Sequence, residues 1–115
     1  MSTYNKELGK LWEKIAAQYY QKNWYQILHT NYTAKWYGEL DVVASKDNLI
    51  AFIEVKTVNH TENLDCYITR NKIKNLIRTI DHYLYHYPTT KLIRLDVAFV
   101  KDNNILEIYE NITNN

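Results

Sequence analysis

Apolar residues in this chain recur at two spacings, and the switches between them mark out the elements. Over residues 4–22, Leu8, Leu11, Trp12, Ile15, Ala16 and Tyr19 fall at i, i+3, i+4, i+7, i+8 and i+11. That is one broad stripe on an α-helix, with Ser2 or Thr3 as its cap. Residues 24–32 (WYQILHTNY) have the aromatic and β-branched content of a strand. Two more strands follow at 38–45 and 49–57, joined through the polar turn formers Lys46, Asp47 and Asn48. After a polar loop at 58–67 the helical spacing returns over 68–85. There Ile68, Ile73, Leu76, Ile77, Ile80, Tyr83 and Leu84 form the face predicted to be buried, and Pro88 stops the helix. Residues 92–100 (LIRLDVAFV) read as a buried strand and 105–109 (ILEIY) as a weaker last one. The first three strands form an antiparallel meander, and the second helix crosses over to a strand that pairs parallel. The expected fold is α/β, a mixed sheet with a helix on each face.

The hairpin at 38–57 carries acidic residues in otherwise apolar strands. With a two-residue turn at Asp47-Asn48, Lys46 faces Leu49, and counting back sets Asp41 opposite Glu54 and Glu39 opposite Lys56. Cross-strand neighbours hold their Cβ atoms about 4.5–5.5 Å apart, where like charges repel. A divalent cation such as Mg²⁺ or Mn²⁺, which takes hard oxygen ligands, would relieve that repulsion. Period-two alternation keeps Glu54 and Lys56 on one face, so an ammonium would stand beside the cation. The competing reading is a solvated sheet face on which Glu39–Lys56 is an ordinary ion pair. Glu13 borders the first helical stripe, and by position alone it reads as a solvated residue pairing with Lys10 or Lys14. Asp96 is either a polar strand residue or a partner behind the site.

Composition narrows the classes. With 115 residues, 46% hydrophobic and 23% charged, the chain is expected to be one globular domain. The longest apolar run, residues 49–53, is far short of a membrane span, and the N-terminus lacks the apolar core of a signal peptide. A single cysteine, Cys66, makes no internal disulfide and suits a reducing cytoplasm. Net charge is only +1, so a basic footprint must be local. Arg70, Lys72, Lys74 and Arg78 charge one side of the second helix, and Arg70, Lys72 and Lys74, with Lys35 in the Lys35-Trp36-Tyr37 lead, are the candidates for phosphate contact. A solvated helix face is the alternative. His82 and His86 have metal-ligand spacing, but they stand among tyrosines without a third ligand and read as a half-packed surface pair.

Asp41, twelve residues, then Glu54-Val55-Lys56 resembles the D…E-x-K core of the PD-(D/E)XK nuclease superfamily, with Leu40 in the proline position. The chain is more similar still to the small bacterial YraN-like proteins, relatives of archaeal Holliday junction resolvases. Their G-x-x-G-E-x-x-A-x-x-Y is met by Gly9, Glu13, Ala16 and Tyr19, with Trp12 replacing the second glycine. Their N-x-R and G-E-[IL]-D are met by Asn31 and by Gly38-Glu39-Leu40-Asp41, with Thr33 where a basic residue is usual. Their F-[VI]-E-V-K-T is complete from Phe52 to Thr57, and Lys72 and Arg94-Leu95-Asp96-Val97 resemble later elements. The resemblance implies a restriction-endonuclease-like α-β-β-β-α-β core, to which residues 105–109 add a strand. It implies Asp41 and Glu54 as ligands of Mg²⁺ or Mn²⁺, Lys56 as catalytic lysine and Glu13 as a further acid near the metal. A metal-dependent endonuclease acting on DNA, branched DNA included, is the function expected. A non-catalytic nucleic-acid- or protein-binding module on the same fold is the alternative, and self-association into a homodimer stays open.

Overall fold

Turn chemistry and one crossover decide the order of the sheet. The computed structural model describes residues 3–113. It contains helix α1 (Thr3–Lys22), strands β1 (Gln26–Ala34), β2 (Gly38–Lys46) and β3 (Leu49–Thr57), and helix α2 (Arg70–His86). Strands β4 (Leu92–Lys101) and β5 (Asn104–Tyr109) follow. Lys46 pairs with Leu49 as expected, across a turn in which Asp47 takes a left-handed φ of 52°. The β4–β5 turn places Asp102 and Asn103 at φ 52° and 61°, the handedness that tight hairpins require. Between these hairpins α2 returns the chain so that β3 and β4 run parallel, in register from Leu49–Leu92 to Thr57–Val100. The result is one five-stranded mixed sheet in the order β1-β2-β3-β4-β5. This is the expected helix, three strands, helix, two strands. Among the described residues no helix is long and apolar enough to cross a membrane.

Each sheet face has its own core. On the α2 side Val43, Phe52, Leu95, Val97 and Phe99 pack with Ile80 and Tyr83. On the α1 side the side chains are small: Val42, Ala44, Ala51 and Ala98 meet Ala16, Ala17 and Tyr20. Asp96 is 0% exposed and fully engaged there. It accepts from the Tyr20 hydroxyl (2.7 Å), Arg94 Nε (2.8 Å) and Nη2 (2.7 Å), and the Asn111 N–H (3.0 Å). Burial, then the Asp96 charge, pushes the Tyr20 hydroxyl well up, so it remains a donor. Asp96 is therefore a partner inside the core.

Two expected faces are rotated. On α1, Leu11 and Tyr19 are exposed, while Ala16, Ala17 and Tyr20 point inward. Alanines allow the helix to approach the sheet closely, and Tyr20 needs Asp96. The cap candidates Ser2 and the Thr3 side chain lie outside the described residues. On α2, Ile77 is 40% exposed, against the expectation of burial, while Thr79, Ile80 and Tyr83 are buried. The stripe Ile73, Leu76, Ile80, Tyr83 centres on the sheet and leaves Ile77 at its rim. Ile80→Asp should abolish the cooperative melt, because an unpaired buried charge costs several kcal/mol against a total stability of about 5–15 kcal/mol. Ile77→Asp should cost about 1 kcal/mol or less. Thermal melts followed by circular dichroism compare the two.

Candidate active site

The candidate residues meet where two strands part. β2 and β3 are paired only as far as Val42–Ile53. Beyond that level β2 continues on β1 to Gly38 and β3 on β4 to Thr57. In the opening, Asp41 Oδ2 accepts the Val55 N–H at 2.7 Å. Side-chain alternation lapses here: Leu40 joins the α2-side core while Val42 joins the α1-side core. Level with Asp41 on β1, Asn31 takes a left-handed φ of 53°, which asparagine tolerates. Glu54 is the first β3 residue past the paired ladder. Glu13 arrives on the inward side of α1, on the face that holds Ala16, Ala17 and Tyr20. Asp41 interacts electrostatically with both Glu13 and Glu54.

The expected Glu39–Lys56 pair does not form. The strands separate before those residues would meet: Glu39 is exposed and pairs across to Thr33 on β1. Lys56 Nζ lies 5.1 Å from the centroid of the Tyr67 ring. Lys56 and Glu54 nevertheless line one pocket with Tyr67 and Lys72.

Two open clefts flank the carboxylates. One is lined by Asp41, Glu54, Lys72, Asn75 and Arg78 together with the β1–β2 turn. The other is lined by Glu13, Asn31, Lys10 and Lys14. Of the basic residues expected to contact phosphate, Lys72 stands at the carboxylates and Lys35 on the turn at the cleft mouth. Arg70 and Lys74 are exposed on α2, outside the residues that line this cleft. Sequence reasoning gives Asn31 no role, and it places Arg78 on the basic side of α2 without singling it out for the site. Asn31 had a signal in its match to the N-x-R pattern, and Arg78 in its place on the basic face of α2. His82 is half-packed as expected, with Nδ1 2.9 Å from the Tyr32 hydroxyl.

Comparison with known proteins gives the chain a family. The model of the uncharacterised protein family UPF0102 matches residues 12–100. The chain belongs to the UPF0102 family. It is 35% identical over 109 residues to a UPF0102 protein of Aliarcobacter butzleri (strain RM4018), covering 95% of this chain and 98% of that one. A UPF0102 protein of Helicobacter hepaticus is 39% identical over 101 residues, covering 88% and 89%. One from Sulfurihydrogenibium sp. is 36% identical over 104 residues, covering 87% and 89%. The matched segment of this UPF0102 chain contains Glu13, Asp41, Glu54, Lys56 and Lys72.

Electrostatically the three acids strain against one another. Burial, then the Asp41 charge, pushes Glu54 up to about 8, against the opposing pull of Lys72 and Lys56. Burial, then the Asp41 charge, pushes Glu13 up to about 7, with Asn31 opposing. Asp41 is also raised, by burial, with the Val55 N–H and the two glutamates opposing. Glu13 Oε1 is buried and has no hydrogen-bond partner among the described residues. A hard-oxygen donor set with an orphaned oxygen fits a divalent cation. Among the described residues no three His, Cys, Asp or Glu side chains form a ready-made cage. Mg²⁺ does not require such a cage: it rests on one or two carboxylates and keeps several waters.

The pH dependence of metal-free stability follows. Unfolded glutamates titrate near 4.5, whereas the folded Glu13 and Glu54 hold their protons to about 7 and 8. The stabilisation is complete below about 4.5 and is lost as pH rises through 7 to 8. In EDTA this UPF0102 protein should melt higher at about pH 5.5 than at about pH 8.5, values that lie on either side of the titrations of Glu13 and Glu54 at about 7 and 8. Glu54→Gln should flatten the difference. Equal slopes in the two proteins would show that the glutamates are not coupled.

Proposed function

We propose that this UPF0102 protein is a divalent-cation-dependent endonuclease that hydrolyses phosphodiester bonds in DNA, branched DNA included. The observation that carries the reading is the convergence of Glu13, Asp41 and Glu54 from three elements at the parting of β2 and β3. Apposed carboxylates with an orphaned oxygen cost stability unless a cation joins them. The D…E-x-K spacing shared with PD-(D/E)XK nucleases supports the same reading.

Asp41 and Glu54 would hold Mg²⁺ or Mn²⁺, with Glu13 as the further acid. Bound there, the ion supplies a Lewis acid toward the phosphate and eases deprotonation of water. Hydrolysis forms a bond from water oxygen to phosphorus and breaks the bond to one sugar oxygen, which leaves with a proton. Lys56 offers its ammonium to the charge that builds on the phosphoryl oxygens. Lys72, whose charge acts on Glu54 ahead of that of Lys56, is placed to bind the same phosphate. The Val55 N–H holds Asp41 in place throughout.

Millimolar Mn²⁺ should raise the melting temperature of the wild type over its value in EDTA, since a ligand of the folded state stabilises it by RT ln(1 + [L]/Kd). Asp41→Asn should melt above the wild type in EDTA, because one of the apposed charges is gone, and should ignore Mn²⁺. Calorimetric titration reads the same difference as heat. Cleavage of DNA by the purified protein should fall about 100-fold or more in Lys56→Ala. DNA binding without cleavage would mark the chain as a non-catalytic binding module. A wild type indifferent to Mn²⁺ would remove the metal site altogether.

A further inference from the structure

The β1–β2 turn stands at the cleft mouth and is held more firmly than its exposure requires. The Tyr37 N–H donates to the Ala34 carbonyl at 2.9 Å. The buried Thr79 Oγ1 of α2 lies 3.1 Å from the Tyr37 carbonyl. Gly38 has φ 133°, and a Cβ there would come to 3.1 Å from the same Thr79 Oγ1. Fixed in this turn is Trp36, 88% exposed, with φ 75°. A bulky residue rarely adopts that conformation, and strain of this kind clusters at functional sites. Neither burial nor backbone preference accounts for a tryptophan here.

Its neighbours suggest what does. Trp36 and the exposed Tyr37 line the cleft that contains Asp41, Glu54 and Lys72. Each ring is attended by a cation: Lys35 Nζ lies 5.3 Å from the Trp36 centroid and Arg78 Cζ 5.7 Å from that of Tyr37. Exposed aromatics beside cations are the elements that bind unstacked bases and their phosphates.

We propose that Trp36, with Tyr37, is a stacking platform for an unpaired base, so that the chain prefers DNA with a single-stranded segment next to the phosphate in the cleft. This rests on the nuclease reading for the identity of that cleft. The base lies on the indole, while Lys35 and Arg78 meet the flanking phosphates. A blunt duplex offers no free base and gains the phosphate contacts alone. Trp24 provides a control: it is 84% exposed with φ 73°, but it precedes the opposite end of β1.

The test is fluorescence anisotropy with a single strand, a duplex bearing an overhang and a blunt duplex, each in Ca²⁺ and in EDTA. Wild type should bind the first two more tightly than the blunt duplex. Trp36→Ala should lose roughly 5- to 150-fold on those two and nothing on the blunt duplex. Trp36→Phe should retain most of the preference, and Trp24→Ala all of it. An unchanged melting temperature would show Trp36→Ala to be folded. Equal loss on all three DNAs, or no loss, overturns the proposal. So does a wild-type dimer in sedimentation that Trp36→Ala converts to monomer, since the ring would then be a protein contact. If Trp36→Ala binds like wild type while Lys56→Ala still loses cleavage, stacking fails and the nuclease reading stands. If wild type binds none of the three DNAs, both fail.

Discussion

A carboxylate with no solvent exposure, Asp96, ties the sheet to both ends of the chain. A charge so placed costs several kcal/mol unless it is paired and hydrogen-bonded. Arg94, the Tyr20 hydroxyl and the Asn111 N–H together satisfy it. The Tyr20 contact matters most for the site. The other inward residues of α1, Ala16 and Ala17, have little apolar surface with which to fix the helix, and Glu13 lies two turns upstream on the same side. The third acid of the cleft is thus set in place by a hydrogen bond made away from it. Asn111 falls outside the segment shared with the UPF0102 family model, yet it completes this network.

The β2–β3 hairpin was legible because its turn and its alternation specify one register, and a slip by one residue would turn every side chain to the other face. Asp41 beside Glu54 follows from that register. The end of the pairing at Val42–Ile53 does not, because it arises from β2 leaning toward β1 and β3 toward β4. Glu39 and Lys56 lost their expected contact for that reason alone. In α1 the larger side chains misled. Leu11 and Tyr19 dominate any hydrophobic count, but the alanine face is what fits closely against small residues of the sheet. The roll of α2 likewise decided that Ile77 would be exposed and that Arg78, rather than Arg70 or Lys74, would line the cleft.

The two sides of the sheet divide the work. The α2 side carries the aromatic weight, with Phe52, Phe99 and Tyr83 packed together, and supplies most of the apolar burial. The α1 side is thin and polar at its centre, where the Arg94–Asp96 pair lies, and it contributes Glu13 to its cleft, whereas Asp41 and Glu54 line theirs with α2 residues. The acids themselves take no part in either apolar cluster. Changes that tune the acids need not disturb the packing that holds the fold.

The outer strands bring out one more property of the fold. β1 has an extra residue, Leu28, where its register against β2 shifts, and a left-handed Asn31 three residues later. β5 carries its own extra residue at Leu106. A long flat edge offers a row of free amides and carbonyls on which another chain can template, and bulges break that row. In β1 the register shift falls opposite Val43 and Ala44, and the left-handed Asn31 lies level with Asp41. The irregular edge that lies beside the acids denies a sixth strand a straight row to join.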